Sequence, residues 1–137
     1  MLFYTKTYIK LPFLKGIILK ESLFVYGTLM PNCPNAFVLE NIVGKFVKAS
    51  VKGKLIDAGW SASMGYPGIR LDAGNDSIHG FLFYSDNLIN HWDNLDKFEG
   101  EEFERKEVIV ERFDEMEVQT YIYVLKDEIV LIHDENR

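Results

Sequence analysis

The chain has 137 residues, of which 47% are hydrophobic and 14% aromatic, and carries a formal net charge of -6. This is enough apolar material for one buried core, and the single Cys33 excludes an intramolecular disulfide. The acidic balance argues against a nucleic-acid partner, and His79, His91 and His133 show none of the short paired spacings of zinc sites, so no metal is expected.

Residues 1–20 are apolar and carry Lys6, Lys10, Lys15 and Lys20 without an acid. Lys10 and Lys15 cut the apolar stretch into 11–14 and 16–19, too short for the core of a secretory signal. The segment reads as a leader or an extra strand, loosely attached, ahead of one domain over residues 21–137. A reducing cytoplasmic setting with no membrane partner is expected.

Residues 23–26 form an apolar run that stops at Gly27, so 22–26 reads as a buried strand ending in a loop. Glycine there is expected to take a positive φ, leaving the amides of Gly27, Thr28 and Leu29 to face a carboxylate or oxyanion. Residues 35–42 read as a short helix with Asn35 as its N-cap and Phe37, Val38 and Leu39 inward. Residues 46–56 read as a half-exposed strand with Lys48, Lys52 and Lys54 outward, and 57–68 as a turn-rich loop.

Residues 69–71 and 78–84 are expected to form a hairpin around the turn at 73–76, with Gly80 interrupting its second strand. Ser85 and Asp86 would cap a helix whose Leu88, Trp92, Leu95 and Phe98 lie on one buried stripe, closed by a left-handed Gly100. Strands at 106–112, 118–125 and 129–132 complete the chain, with 116–119 crossing between the first two. No repeat or linker divides it, so the class is α+β.

Glu99 is a candidate site residue. It ends the best helix of the chain, where the carbonyl end of the dipole opposes a negative charge, and Asp96 one turn earlier adds like-charge repulsion. Both effects raise its pKa toward the range useful to a group that accepts and returns a proton near neutrality. The bland alternative is a solvated charge run, since Glu101, Glu102 and Glu104 follow. Arg105 reads as a partner for these glutamates, and Cys33 has no partner motif that would activate a nucleophile.

Tyr26-Gly27-Thr28-Leu29, the Tyr66-Pro67 pair, and Leu95-Asp96-Lys97-Phe98-Glu99-Gly100 followed by Phe103 and Arg105 form an ordered set. It resembles the γ-glutamylcyclotransferase-like superfamily, which includes γ-glutamylamine cyclotransferases and avirulence-induced-protein-like members, over about residues 23–125. The resemblance implies a small mixed β-barrel with short peripheral helices and Glu99 as general acid/base. It also implies that Tyr26, Gly27, Thr28 and Leu29 hold the glutamyl moiety of a small-molecule γ-glutamyl substrate, which is cyclised to 5-oxoproline without a cofactor. Phe103 departs from the tyrosine many relatives carry, so any contact a hydroxyl makes there is missing. Two other readings are a non-catalytic ligand-binding protein of the same fold and an interaction module that docks through its leader. Which amine leaves, and the oligomeric state, are not legible.

Overall fold

In the computed structural model, which describes residues 22–56 and 68–126, the elements follow the order β1 (Ser22–Val25), α1 (Phe37–Glu40), β2 (Lys45–Ile56), β3 (Gly68–Arg70), β4 (Asp76–Tyr84), a 3-10 turn (Leu88–Asn90), α2 (Trp92–Glu99), β5 (Phe103–Arg112) and β6 (Glu117–Leu125). The leader, the strand expected at 129–132, and Tyr66 and Pro67 lie outside the described residues.

The strand order is β3-β2-β4-β1-β6-β5, and β5 returns to β2 through Ala49 opposite Arg112 and Ser50 opposite Glu111. Five strands, β2, β4, β1, β6 and β5, thereby close a barrel, and β3 pairs only with the end of β2. The β1–β6 pairing is parallel and the others antiparallel, so the barrel is mixed, as expected. Closure removes the exposed edges that an open sheet of this size would leave.

The unbroken apolar run of β1 has a structural reason. Phe24 points into the barrel with Val51, Leu82, Val110 and Ile122, while Leu23 and Val25 point outward against Leu39, Leu88, Trp92 and Leu95 of the helical layer. A strand buried on both faces needs no polar alternation. Ser22 and Thr120, both fully buried, bond hydroxyl to hydroxyl at 2.6 Å, so burial leaves neither unpaired.

Several expectations are corrected. Residues 69–71 and 78–84 do not form a hairpin: β3 pairs with β2, from Lys54 opposite Arg70 to Ile56 opposite Gly68, and β4 lies along β2 from Lys45 to Gly53. Gly80 does not interrupt β4; it lets the strand lie close to β1, because a Cβ there would sit 2.2 Å from the Val25 carbonyl oxygen. The β5–β6 crossing is a turn beginning at Phe113, and β6 already runs by Glu117. Lys48, Lys52 and Lys54 are exposed, as anticipated.

The helices are also shorter than expected. Leu88 belongs to the separate 3-10 turn, where the Asn87 N–H donates to the Ser85 hydroxyl, and α2 begins only at Trp92 without a side-chain cap. Phe98 is 42% exposed because α2 positions three apart drift by about 60° per step, which carries the third of Trp92, Leu95 and Phe98 off the buried stripe. Phe37 is likewise exposed, while Leu39 is fully buried. Gly100 takes φ 90° and ψ -179°, positive as anticipated but extended in ψ, a conformation essentially restricted to glycine.

Candidate active site

At one end of the barrel the last turn of α2 faces the loop that leaves β1. Between them lies a cleft of about 150 Å3, lined by Tyr26, Gly27, Thr28, Leu29, Asn35, Phe98, Glu99, Phe103 and Tyr123 over a floor of Phe24 and Val25. All five residues expected to form the site are brought together here.

The loop is fixed by its own turns. The Met30 N–H donates to the Gly27 carbonyl at 3.1 Å, the Cys33 N–H to Met30 at 3.1 Å and the Ala36 N–H to Cys33 at 3.0 Å. Asn35 closes it twice, its backbone N–H on the Thr28 carbonyl and its side-chain amide on the Thr28 hydroxyl, both at 3.0 Å. Asn35 is therefore a brace for the loop rather than the N-cap of α1, whose cap position is Ala36. The Thr28 hydroxyl, accepting from Asn35, keeps its own proton for another acceptor. Gly27 is not in the positive-φ region, contrary to expectation; a Cβ there would meet nothing within 4 Å, so the glycine leaves open space on the cleft side. Cys33 is not among the lining residues.

Tyr26 pins the strand end. Its hydroxyl donates to the Tyr123 carbonyl at 2.7 Å and accepts from the Ile69 N–H at 3.1 Å, joining β1, β6 and β3 at one oxygen. Burial holds its phenol well above the ordinary range, with the Ile69 N–H acting in the opposite sense and the Glu99 charge adding to the rise. Tyr123 raises its side chain to the α2 carboxylate, donating to Asp96 Oδ1 at 2.6 Å. Burial, then this bond, keeps its phenol protonated too. Arg105 completes the cluster, with Nε 3.1 Å from Asp96 Oδ1 and Nη2 3.3 Å from Oδ2, and its guanidinium lies 4.3 Å from the Trp92 ring centre. Arg105 thus pairs with Asp96 and not with the glutamates around it in sequence.

This pairing changes the account of Glu99. Its pKa is raised from 4.5 to about 7, as expected in direction, but the cause is burial. Asp96 does not act on it as a free like charge, because Arg105 and Tyr123 already hold that carboxylate. No side chain among the described residues pairs with Glu99, so its proton is left for whatever occupies the cleft.

A stability consequence follows. Because the folded pKa lies above the unfolded one, the folded chain holds more protons between pH 4.5 and 7, and stability falls as pH rises through that window. The full cost, reached above pH 7, is at most on the order of 3 kcal/mol, from about 1.4 kcal/mol per unit. Glu99→Gln should therefore be more stable than the parent protein at pH 8 and equal to it at pH 4. Urea denaturation at the two pH values checks this, and equal stabilities at pH 8 would mean that the carboxyl is not desolvated.

Phe103 lines the cleft with a bare ring. Among the described residues no cluster of His, Cys, Asp and Glu is arranged to hold a metal ion, and no helix is long and apolar enough to cross a membrane.

The Glu99 carboxyl at the foot of α2 thus faces a tyrosine-glycine loop across the end of a small mixed barrel. The profile of the family described as Gamma-glutamyl cyclotransferase, AIG2-like matches residues 23–136, and the chain belongs to this family. It is 35% identical over 101 residues to the Gamma-L-glutamyl-butirosin B gamma-glutamyl cyclotransferase of Niallia circulans, covering 73% of this chain and 60% of that protein. Among solved structures it resembles YkqA from Bacillus subtilis, with TM-score 0.60 and 29% identity over 77% of this chain and 36% of that one. An aig2-like protein from Mus musculus shares the fold at TM-score 0.60 and 20% identity, over 80% of this chain and 82% of that one. The chain thus spans only part of the length of the first two.

Proposed function

We propose that the protein is a γ-glutamyl cyclotransferase that releases 5-oxoproline and a free amine from a γ-glutamyl amide. The observation that carries this reading is the Glu99 carboxyl, which has no side-chain partner among the described residues and a pKa raised to about 7, set across a narrow cleft from the 27–29 loop. Family membership and the activity named for the Niallia circulans relative support it.

The α-amine of the substrate attacks its own side-chain carbonyl, forming the ring C–N bond, and the tetrahedral centre collapses with loss of the amine. Nucleophile and electrophile share one molecule, so holding the reactive rotamer can supply about 7 to 11 kcal/mol of the barrier. The cleft, about 150 Å3, is below the usual volume of sites for drug-sized ligands, which suits a small γ-glutamyl group. Glu99 takes a proton from the ammonium, freeing the lone pair, and returns one to the leaving nitrogen. The Gly27, Thr28 and Leu29 amides have no backbone acceptor among the described residues and stand ready for the substrate carboxylate or the oxyanion. Asn35 and Tyr26 keep that loop in place. No cofactor is needed by these steps.

Incubation with a panel of γ-glutamyl amino acids, γ-glutamyl amines and γ-glutamyl-lysine isopeptides should release 5-oxoproline from at least one of them, at a rate unchanged by chelators. Release from none by a correctly folded preparation would overturn the reading.

A further inference from the structure

The register of β5 and β6 brings a cation to the flank of α2. Arg105 lies directly opposite Tyr123, and Glu107 opposite Tyr121. Tyr123 belongs to the core layer that holds Trp92 and Leu95, and Tyr121 packs against it, so strand alternation sends Arg105 to the same side. There its guanidinium sits 4.3 Å from the centre of the Trp92 ring and 5.3 Å from that of Tyr121.

What the guanidinium meets there is Asp96. Its two contacts at 3.1 and 3.3 Å make the two-point grip that a lysine does not offer, and the Tyr123 hydroxyl adds a third at 2.6 Å. The Asp96 backbone is engaged as well, its carbonyl accepting the Gly100 N–H at 3.2 Å where α2 ends. Asp96 thus ties the last turn of α2 to β5 and β6. Glu99 is the final residue of that turn, three positions on, a spacing that brings side chains to about 5 to 6 Å at Cβ. Tyr123 spans the two, bonding Asp96 and lining the cleft. Its phenol is held up by burial first and then by Asp96, with Arg105 opposing and Glu99 adding, so the three charges share one neighbourhood.

We propose that Arg105 is a positioning residue that acts on Glu99 through Asp96, anchoring the last turn of α2 and cancelling the negative charge beside the acid/base carboxyl. This rests on the reading of Glu99 given above; Arg105 itself is not among the residues that line the cleft. Burial alone accounts for the rise at Glu99, as it should where the charges of Asp96 and Arg105 offset each other. The other ionisable groups around the carboxyl are Tyr26 and Tyr123, both kept neutral chiefly by burial, the exposed Lys97 and Glu101, the partly exposed Glu102, and Glu104, which lies 3.8 Å from Lys106. All of these stay the same in the variants that follow, so they drop out of the comparison.

The test titrates the Glu99 carboxyl by carbon-13 NMR in the full chain and its variants, beside the pH dependence of kcat/KM. Arg105→Gln leaves the Asp96 carboxylate without its counter-ion, which disfavours charge on Glu99, so the midpoint should rise by about half a unit or more. On the acidic limb a rise of about half a unit lowers kcat/KM about threefold. Asp96→Asn keeps a carbonyl oxygen for the Tyr123 hydroxyl but leaves Arg105 as a net positive charge, so the midpoint should fall by a similar amount. The double variant should return to the parent midpoint, and Arg105→Lys, which keeps the charge, should stay close to it. A brace with no electrostatic part behaves otherwise: loosening α2 admits water to the carboxyl, so both single variants would move the midpoint down toward 4.5 and the double variant further still. That result, or unchanged midpoints in both single variants, would overturn the proposal, as would kcat/KM midpoints that do not follow the NMR midpoints. Should Arg105→Gln fail to fold, Asp96→Asn and the double variant decide. A fall that the second substitution reverses is the charge effect, and a fall that it deepens is loosening. Because the titration needs no substrate, a failure to cyclise any γ-glutamyl amide would remove the reaction while the titration still decides whether Arg105 acts on Glu99.

Discussion

Glu99→Gln should lower turnover of a γ-glutamyl amide by 10²- to 10⁴-fold, toward the upper end because one residue serves both proton transfers. The substitution keeps the size and hydrogen-bonding capacity of the side chain but cannot exchange a proton at neutral pH. Folding should survive, and at pH 8 should improve, because the variant no longer has to bury an ionised carboxylate. Loss of activity with gain of stability separates a catalytic role from a structural one, in which both would fall together. Glu101→Gln is the matched control, since Glu101 is exposed and the change in charge is the same. If both variants lose the same modest factor, the effect is general electrostatics.

Gly80→Ala should cost about 3 kcal/mol of stability, a large effect for one methyl group. The added Cβ would lie 2.2 Å from the Val25 carbonyl oxygen and 2.8 Å from Cζ of Phe24. A flexible side chain would give way, but here the nearer atom is backbone, in a strand clamped between β4 and β6. Relief requires moving β1 against its neighbours, which places the change at or above the usual 1 to 3 kcal/mol of overpacking. Because Val25 leads directly into Tyr26 and Gly27, the same displacement moves the loop, and activity should fall with stability. Gly74→Ala is the control, with no atom closer than 3.5 Å. Denaturant midpoints of the three proteins check the prediction, and a near-neutral Gly80→Ala would mean that the β1–β4 contact is looser than described.

Much of the site was legible because its parts are local. The 22–29 stretch carries its own signal, an apolar run stopped by a glycine, and β1 does turn out to be buried on both faces. Glu99 could be placed at a helix end from the spacing of Trp92, Leu95 and Gly100. What escaped was everything decided by long-range register. Nothing in residues 69–71 tells that they pair back onto Lys54–Ile56 of β2 instead of forward onto β4. Asn35 satisfies the local rule for an N-cap and was drawn from it by Thr28, seven residues earlier. Asp96 was read as a repulsive neighbour of Glu99 because Arg105 and Tyr123, which neutralise it, arrive from β5 and β6. The direction of the Glu99 shift was thus anticipated, while its cause is visible only once the cleft closes around the carboxyl.

The direct measurement is the titration of Glu99 by carbon-13 NMR of the labelled side chain, set beside the pH dependence of kcat/KM for the best γ-glutamyl substrate. With Glu99 required as a base in the free enzyme, kcat/KM should fall as pH drops, with a midpoint near 7 that coincides with the NMR midpoint. A Glu99 midpoint near 4.5, or an acidic limb that persists unchanged in Glu99→Gln, would contradict the assignment of this residue as the acid/base group.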